Sequence, residues 1–285
     1  MTRKMAKRLM VLTCMIALIA CFGVTSAFAG NIILTGHDND FHQSTGARAQ
    51  TTAMMNFARA GSTNPGLKVL AFDQGSELTS LLTLLGIAFD NVDLDAPGPA
   101  GNIFNPATYS AMVVASHQSC GGCDNTVATS NYLLAHQTDI NAFFNAGGGI
   151  VSFTSGSEPT YYNWLPQVAA AFGSPGSTGF YQTPAGATLG VPAVNGDATH
   201  NFFREPGTFG TSSLWQVLER NTVGTTDTAD DPAETIALSG GAIICPPEGC
   251  IIVVPPPTGA PEPSSLVLLG TSLIGLSLAA WRKRS

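Results

Sequence analysis

The stretch Gly36-His37-Asp38-Asn39-Asp40-Phe41-His42 gathers two imidazoles and two carboxylates within seven residues. Neutral imidazole nitrogens and carboxylate oxygens are ligands for divalent cations, and they are also the usual pair for moving protons. His117, in Val114-Ala115-Ser116-His117, and Glu158, in Gly156-Ser157-Glu158, likewise follow apolar runs. If those runs are parallel strands of one sheet, His37, His42 and His117 leave it at one edge with Asp38, Asp40 and Glu158 beside them. Open α/β sheets place ligands at that edge. The competing reading is a polar loop whose turns and caps hold the strand ends. Asp227-Thr-Ala-Asp-Asp231 lacks the spacing and glycine of a calcium loop and reads as a solvated acidic turn.

Four cysteines lie beyond the first thirty residues: Cys120, Cys123, Cys245 and Cys250. An even number in an exported chain implies disulfides, and local pairs are preferred among three connectivities. Cys245-Pro-Pro-Glu-Gly-Cys250 sits between β-branched runs and reads as a hairpin tip closed by a disulfide. Cys120-Gly-Gly-Cys123 has the spacing of a redox or metal half-site. No second Cys/His pair at zinc spacing accompanies it, so a structural loop disulfide is the preferred reading.

The elements that must position these groups alternate. Strands are expected at Asn31 to Leu34, Lys68 to Phe72, Val92 to Leu94, Ala111 to Ala115 and Gly149 to Phe153. Helices are expected over Ala47 to Ala60, Ser76 to Leu85 with Ser76 as cap, Asn131 to Ala146, within Pro159 to Phe172, and around Leu214 to Leu218. Continuous apolar strands between helices imply an α/β fold: a mostly parallel sheet with helices on both faces.

The residues Asn31 to His37, Tyr109 to His117 and Phe143 to Thr154 give this pattern a resemblance to the class I glutamine amidotransferase-like fold, a flavodoxin-like architecture, and within it to the ThuA-like branch. The likeness runs from about Asn31 to Phe172. It implies a cysteine on a sharp elbow after the glycine-rich turn, beside backbone donors for an oxyanion. Thr154 or Ser155 stands where that cysteine would be, and no His-x-Glu follows. The departure argues against amidotransferase activity and leaves Ser155, with Thr154, as a serine-type alternative. The resemblance also draws His200, in Thr199-His-Asn-Phe-Phe203, toward the site; a divalent cation is the cofactor such residues could hold.

The two ends address the chain. A basic start (Arg3, Lys4, Lys7, Arg8), an apolar run from Leu9 to Val24 and Ala27-Phe-Ala29 form a signal peptide over residues 1–29, with Gly30 as the mature start. Leu18-Ile-Ala-Cys21 is a second-ranked lipidation site. Residues 30–254 form the domain, and 255–263 a proline-rich linker. Pro261-Glu262-Pro263 is followed by an apolar run from Leu266 to Trp281 and by Arg282-Lys283-Arg284. The run nearly spans a hydrocarbon core as a helix, and the basic tip would stay cytoplasmic. Motif, helix and tip over 261–285 resemble the PEP-CTERM sorting signal, which implies export, recognition by an exosortase and anchoring in the inner membrane before processing. Between Gly30 and Trp281 there are five basic against nineteen acidic residues, a formal charge of about −14. Such a surface repels phosphate backbones and excludes nucleic acid as a partner. The expected function is that of a surface or matrix protein binding a small molecule, a glycan or an extracellular polysaccharide on a scaffold without its nucleophile. The alternative is an extracellular carbohydrate-related hydrolase or metal-dependent enzyme using the His37/His42/His117 edge.

Overall fold

The computed structural model describes residues 29–95, 103–166, 168, 170–173, 176–197, 199–203, 215–221, 232–245 and 250–253. The leader, the linker, the apolar tail and the acidic turn at Asp227 to Asp231 lie outside them. Residues up to Ile252 cluster as one unit and those from Val253 as another.

Five short apolar runs make the parallel half of the sheet: β1 (Asn31–Thr35), β2 (Val69–Phe72), β3 (Phe89–Val92), β4 (Ala111–Val114) and β5 (Gly149–Ser152). They lie in the order β3-β2-β4-β5-β1, and Leu34, Ser152, Val114 and Phe72 share one register. Every residue of β1, β2, β4 and β5 is buried, because successive side chains serve opposite faces. Ile33, Val69, Ala71, Val113 and Val151 meet Met54, Met55 and Phe57 of α2 (Thr45–Ala60) and Leu78, Leu81 and Leu82 of α3 (Glu77–Leu84). On the other face Ile32, Leu34, Phe72, Met112 and Ile150 meet Leu133 of α4 (Val127–Ala135) and Ile140, Phe143 and Phe144 of α5 (Gln137–Asn145). Helices therefore cover both faces.

The glycine-rich turn between α5 and β5 has a packing cause. Gly147 takes the left-handed conformation that ends the helix, φ 99°. A Cβ on Gly149 would lie 2.3 Å from the Ala58 carbonyl oxygen, so only glycine lets α2 cross β5 this closely.

The sheet departs from the expected class in its second half. Beyond β1 the chain adds antiparallel β10 (Ala233–Ser239), β8 (Asn201–Phe203), β6 (Ala170–Phe172), β9 (Trp215–Asn221) and β7 (Phe180–Gln182). The sheet is mixed rather than mostly parallel. Its first strand lies beside the fifth, whereas a flavodoxin-like order of 2-1-3-4-5 puts the first strand inside the parallel set. Five local expectations also change. Pro159 to Phe172 gives turns and then β6 instead of a helix, and Leu214 to Leu218 lies on strand β9 where described. The third strand is Phe89–Val92, earlier than Val92 to Leu94, because that register pairs it with β2 from Val69 onward. The helix expected from Asn131 to Ala146 is two helices meeting at His136, whose ring contacts Tyr132 and whose Nδ1 lies 3.2 Å from Asp139. Ser76 does not cap α3 with its side chain; Asp124 does, accepting from the amides of Ser76 and Glu77, both at 2.8 Å.

β11 (Ala242–Ile244) and β12 (Ile251–Val253) pair as the expected hairpin, closed by a Cys245–Cys250 disulfide, and Cys120 is bonded to Cys123. Among the described residues, no helix is long and apolar enough to cross a membrane.

Candidate functional site

Three exit loops are stitched together at the C-terminal edge of the parallel strands. The amide of Thr154, after β5, donates to the His37 carbonyl after β1 at 3.2 Å, and the amide of His117, after β4, donates to the Thr154 carbonyl at 3.0 Å. His37 and His117 thus leave the sheet at one edge, yet their rings part there. His37 is fully buried, with Nε2 3.1 Å from Glu219 Oε1 and its ring edge-on to Phe180. Glu219 also accepts from the Val194 amide (2.7 Å), Gln50 Nε2 (2.7 Å) and Thr235 Oγ1 (2.6 Å). Those donors satisfy a carboxylate sunk in the sheet, so His37 locks β1 to the antiparallel half.

His117 turns the other way, toward the edge of Tyr161, ring centroids 5.2 Å apart. Its Nδ1 accepts from the Ser119 amide at 3.2 Å and sits 2.8 Å from Ser119 Oγ. The ring proton therefore belongs on Nε2, which is buried without a partner. Burial holds this imidazole below its ordinary pKa, against the opposing charge of Glu158. Glu158 is itself held below the usual carboxylate range by bonds from the Thr160 hydroxyl and amide.

Asp38 and Asp40 bracket the first turn of α1 (Asn39–His42), a four-residue helix whose C-cap, Gln43, takes a left-handed φ of 47°. Asp38 is 1 % exposed. Its Oδ2 lies 3.1 Å from His200 Nε2 and 3.3 Å from His42 Nε2, while Oδ1 is buried with no partner. Both imidazoles are partly open to solvent. Asp40, equally buried, accepts from the Ser116 amide at 2.6 Å and pairs with Ser116 Oγ at 2.5 Å. Burial pushes its carboxyl up to about 7, the Ser116 bonds offset part of that, and the Asp38 charge adds to it.

The hydroxyls of Thr154 and Ser155 are fully buried, and Asn201 Oδ1 takes both (2.6 and 3.1 Å) together with the Ser155 amide at 2.8 Å. No imidazole is hydrogen-bonded to either hydroxyl among the described residues. The turn has an elbow-like glycine, Gly156 at φ 56°, but its hydroxyls support the edge instead of facing a substrate.

The structure thus gathers Asp38, His42 and His200, with Cys120 beside them: a carboxylate oxygen of Asp38, a ring nitrogen of His200 and Cys120 Sγ lie within 4.8 Å of one another. His37 is kept apart by Glu219, and Asp40 by Ser116. Sequence reasoning missed Glu219, Asn201 and Asn125. Asn125 donates to the carbonyls of Phe72 (2.9 Å) and Ala115 (3.3 Å) and ties β2 to β4. Glu219 follows Trp215-Gln-Val-Leu218 and precedes Arg220-Asn221, so no local signal marks it as buried.

Imidazole and carboxylate groups here can hold a cation, or orient one imidazole proton toward a bound hydroxyl. No curated protein and no solved structure matches the chain. Residues 260–284 match the PEP-CTERM protein-sorting motif, which marks the chain as an exosortase substrate of the cell envelope or surface.

Proposed function

We propose that this exosortase-sorted protein is exported through removal of residues 1–29, and that its α/β domain binds a small polar ligand at the Asp38 edge without transforming it. The observation that carries the binding reading is the Asp38 carboxylate, buried with one oxygen partnerless and the other shared by two accessible imidazoles. A buried unpartnered carboxylate oxygen is costly unless a ligand completes it. Asp38 and His200 offer a carboxylate oxygen and a ring nitrogen suited to a divalent cation such as zinc, with His42 on the same Asp38 oxygen as a supporting partner. A cation held there would offer open positions to the hydroxyls of an extracellular polysaccharide. The absence of an unengaged nucleophile at Thr154 and Ser155 favours binding over hydrolysis. A scaffold of amidotransferase type without its nucleophile suits the same reading, which does not depend on it. The leader reading gains from Gly30, whose nitrogen lies 2.7 Å from the Phe144 carbonyl near the end of α5. A free ammonium there would meet the negative end of a helix.

Calorimetric titration of the metal-stripped chain with Zn²⁺ tests the site. About one equivalent should bind, and His42→Ala, His200→Ala and Asp38→Asn should each weaken it roughly tenfold or more. His136→Ala, far along the chain on α4's C-cap, should bind as the parent does. Absence of saturable binding, or equal binding in every variant, contradicts the proposal.

A further inference from the structure

The Cys120–Cys123 pair occupies a position that a purely structural staple does not require. Cys120 ends the 3-10 turn Gln118–Cys120 and is partly accessible, whereas Cys123 is buried. Gly121 and Gly122 between them are exposed, so the small loop stands open to an approaching chain. The ring of Phe41, an exposed aromatic, lies against Gly122: a Cβ there would come within 2.3 Å of it. An apolar face thus lies next to the accessible sulfur. Charged and polar groups converge on that sulfur. Asp38 and His200 offer atoms within 4.8 Å of Cys120 Sγ and of each other, and the Cys123 amide donates to it at 3.1 Å. An N–H donor and a protonated imidazole stabilise a thiolate when a disulfide opens, while the Asp38 carboxylate opposes it. The hairpin disulfide differs: the side chains that touch it, Asn141 and Gln137, carry neutral amides.

We propose that Cys120–Cys123 is a thiol–disulfide exchange centre that oxidises a dithiol of a partner polypeptide. A partner thiolate attacks Cys120 Sγ, the bond to Cys123 breaks, and the Cys123 thiolate leaves and takes up a proton. The partner's second thiolate then attacks its own sulfur in the mixed disulfide. That step releases Cys120 as a thiolate beside the Cys123 amide and His200. Two electrons pass from the partner dithiol to the protein, the partner gains a disulfide, and two thiols remain at Cys120 and Cys123. This inference needs no metal, but it draws on Asp38 and His200 of the proposed cation site, so it is tested on the metal-free chain.

The test uses the full chain equilibrated, metal-free, across a series of reduced and oxidised glutathione mixtures, with acid quenching, thiol alkylation and peptide mapping. Cys120–Cys123 should titrate reversibly within the glutathione range while Cys245–Cys250 stays oxidised. In Cys123→Ser, Cys120 should form a stable mixed disulfide with glutathione, and His200→Gln should slow its formation at neutral pH about tenfold. If Cys120–Cys123 stays oxidised throughout the series, or opens only together with Cys245–Cys250, the centre is a structural staple and the proposal fails. The parent titration decides this even if a variant does not fold. Unchanged mixed-disulfide formation in His200→Gln would remove the imidazole's part in the step.

Discussion

At the scale of single residues, the edge is built from groups whose burial sets their chemistry. Asp40 is the clearest case, a carboxyl raised to about 7 mainly because no water reaches it. A folded-state pKa above the ordinary value means that the folded protein holds this proton more tightly than the unfolded chain. Stability from this group is therefore full below the ordinary carboxylate pKa near 4 and is lost as pH rises through about 7. Asp73, raised to about 6 chiefly by burial, adds to the same trend. The free energy of unfolding in urea should fall between pH 5 and pH 8, and Asp40→Asn, which can still bond both Ser116 groups, should reduce that fall by a few kcal/mol. An identical slope in both proteins would mean that Asp40 is charged in the folded state. Part of this chemistry was legible in the sequence: His37 and His117 do exit at one edge, and Asp38 and His42 do meet. The direction of each ring was not, because Glu219, 182 residues away, holds His37, and Tyr161 packs against His117, while Asn201, 47 residues from Thr154, takes that turn's hydroxyls.

At the scale of elements, legibility followed locality. β1, β2, β4 and β5 stood out as continuous apolar runs between turn residues, and α2 as an amphipathic pattern over Ala47 to Ala60; it begins earlier, at Thr45 after Ser44, whose hydroxyl oxygen accepts from the Ala47 amide. The antiparallel half was hidden. β6 and β8 have three residues each, and β9 carries a buried acid and pairs through a register shift with β10, so neither period reads cleanly along the chain. Those strands form because β10 offers β1 an antiparallel partner, a long-range fact that no local window contains. The glycine-rich turn was legible as a motif, but its meaning is packing. Gly149→Ala sets a methyl against the Ala58 carbonyl and should destabilise the domain by about 2–3 kcal/mol in chemical denaturation. A change under about 0.5 kcal/mol would show that α2 can move away from β5 at little cost.

At the scale of the whole molecule, an acidic domain carries its buried carboxylates and imidazoles at one strand edge and its address in a C-terminal motif. The address was fully legible, because Pro261-Glu262-Pro263, an apolar run and a basic tip are contiguous and depend on no tertiary contact. The central claim is that this motif sorts the chain, and cell fractionation with intact-mass analysis tests it most directly. The parent should reach the cell surface or medium as a chain that begins at Gly30 and lacks the apolar tail. Replacing Arg282, Lys283 and Arg284 with glutamine, or Pro261, Glu262 and Pro263 with alanine, should hold the protein in the inner-membrane fraction with its tail attached. Surface display of both variants at the parent's level and mass would contradict the account.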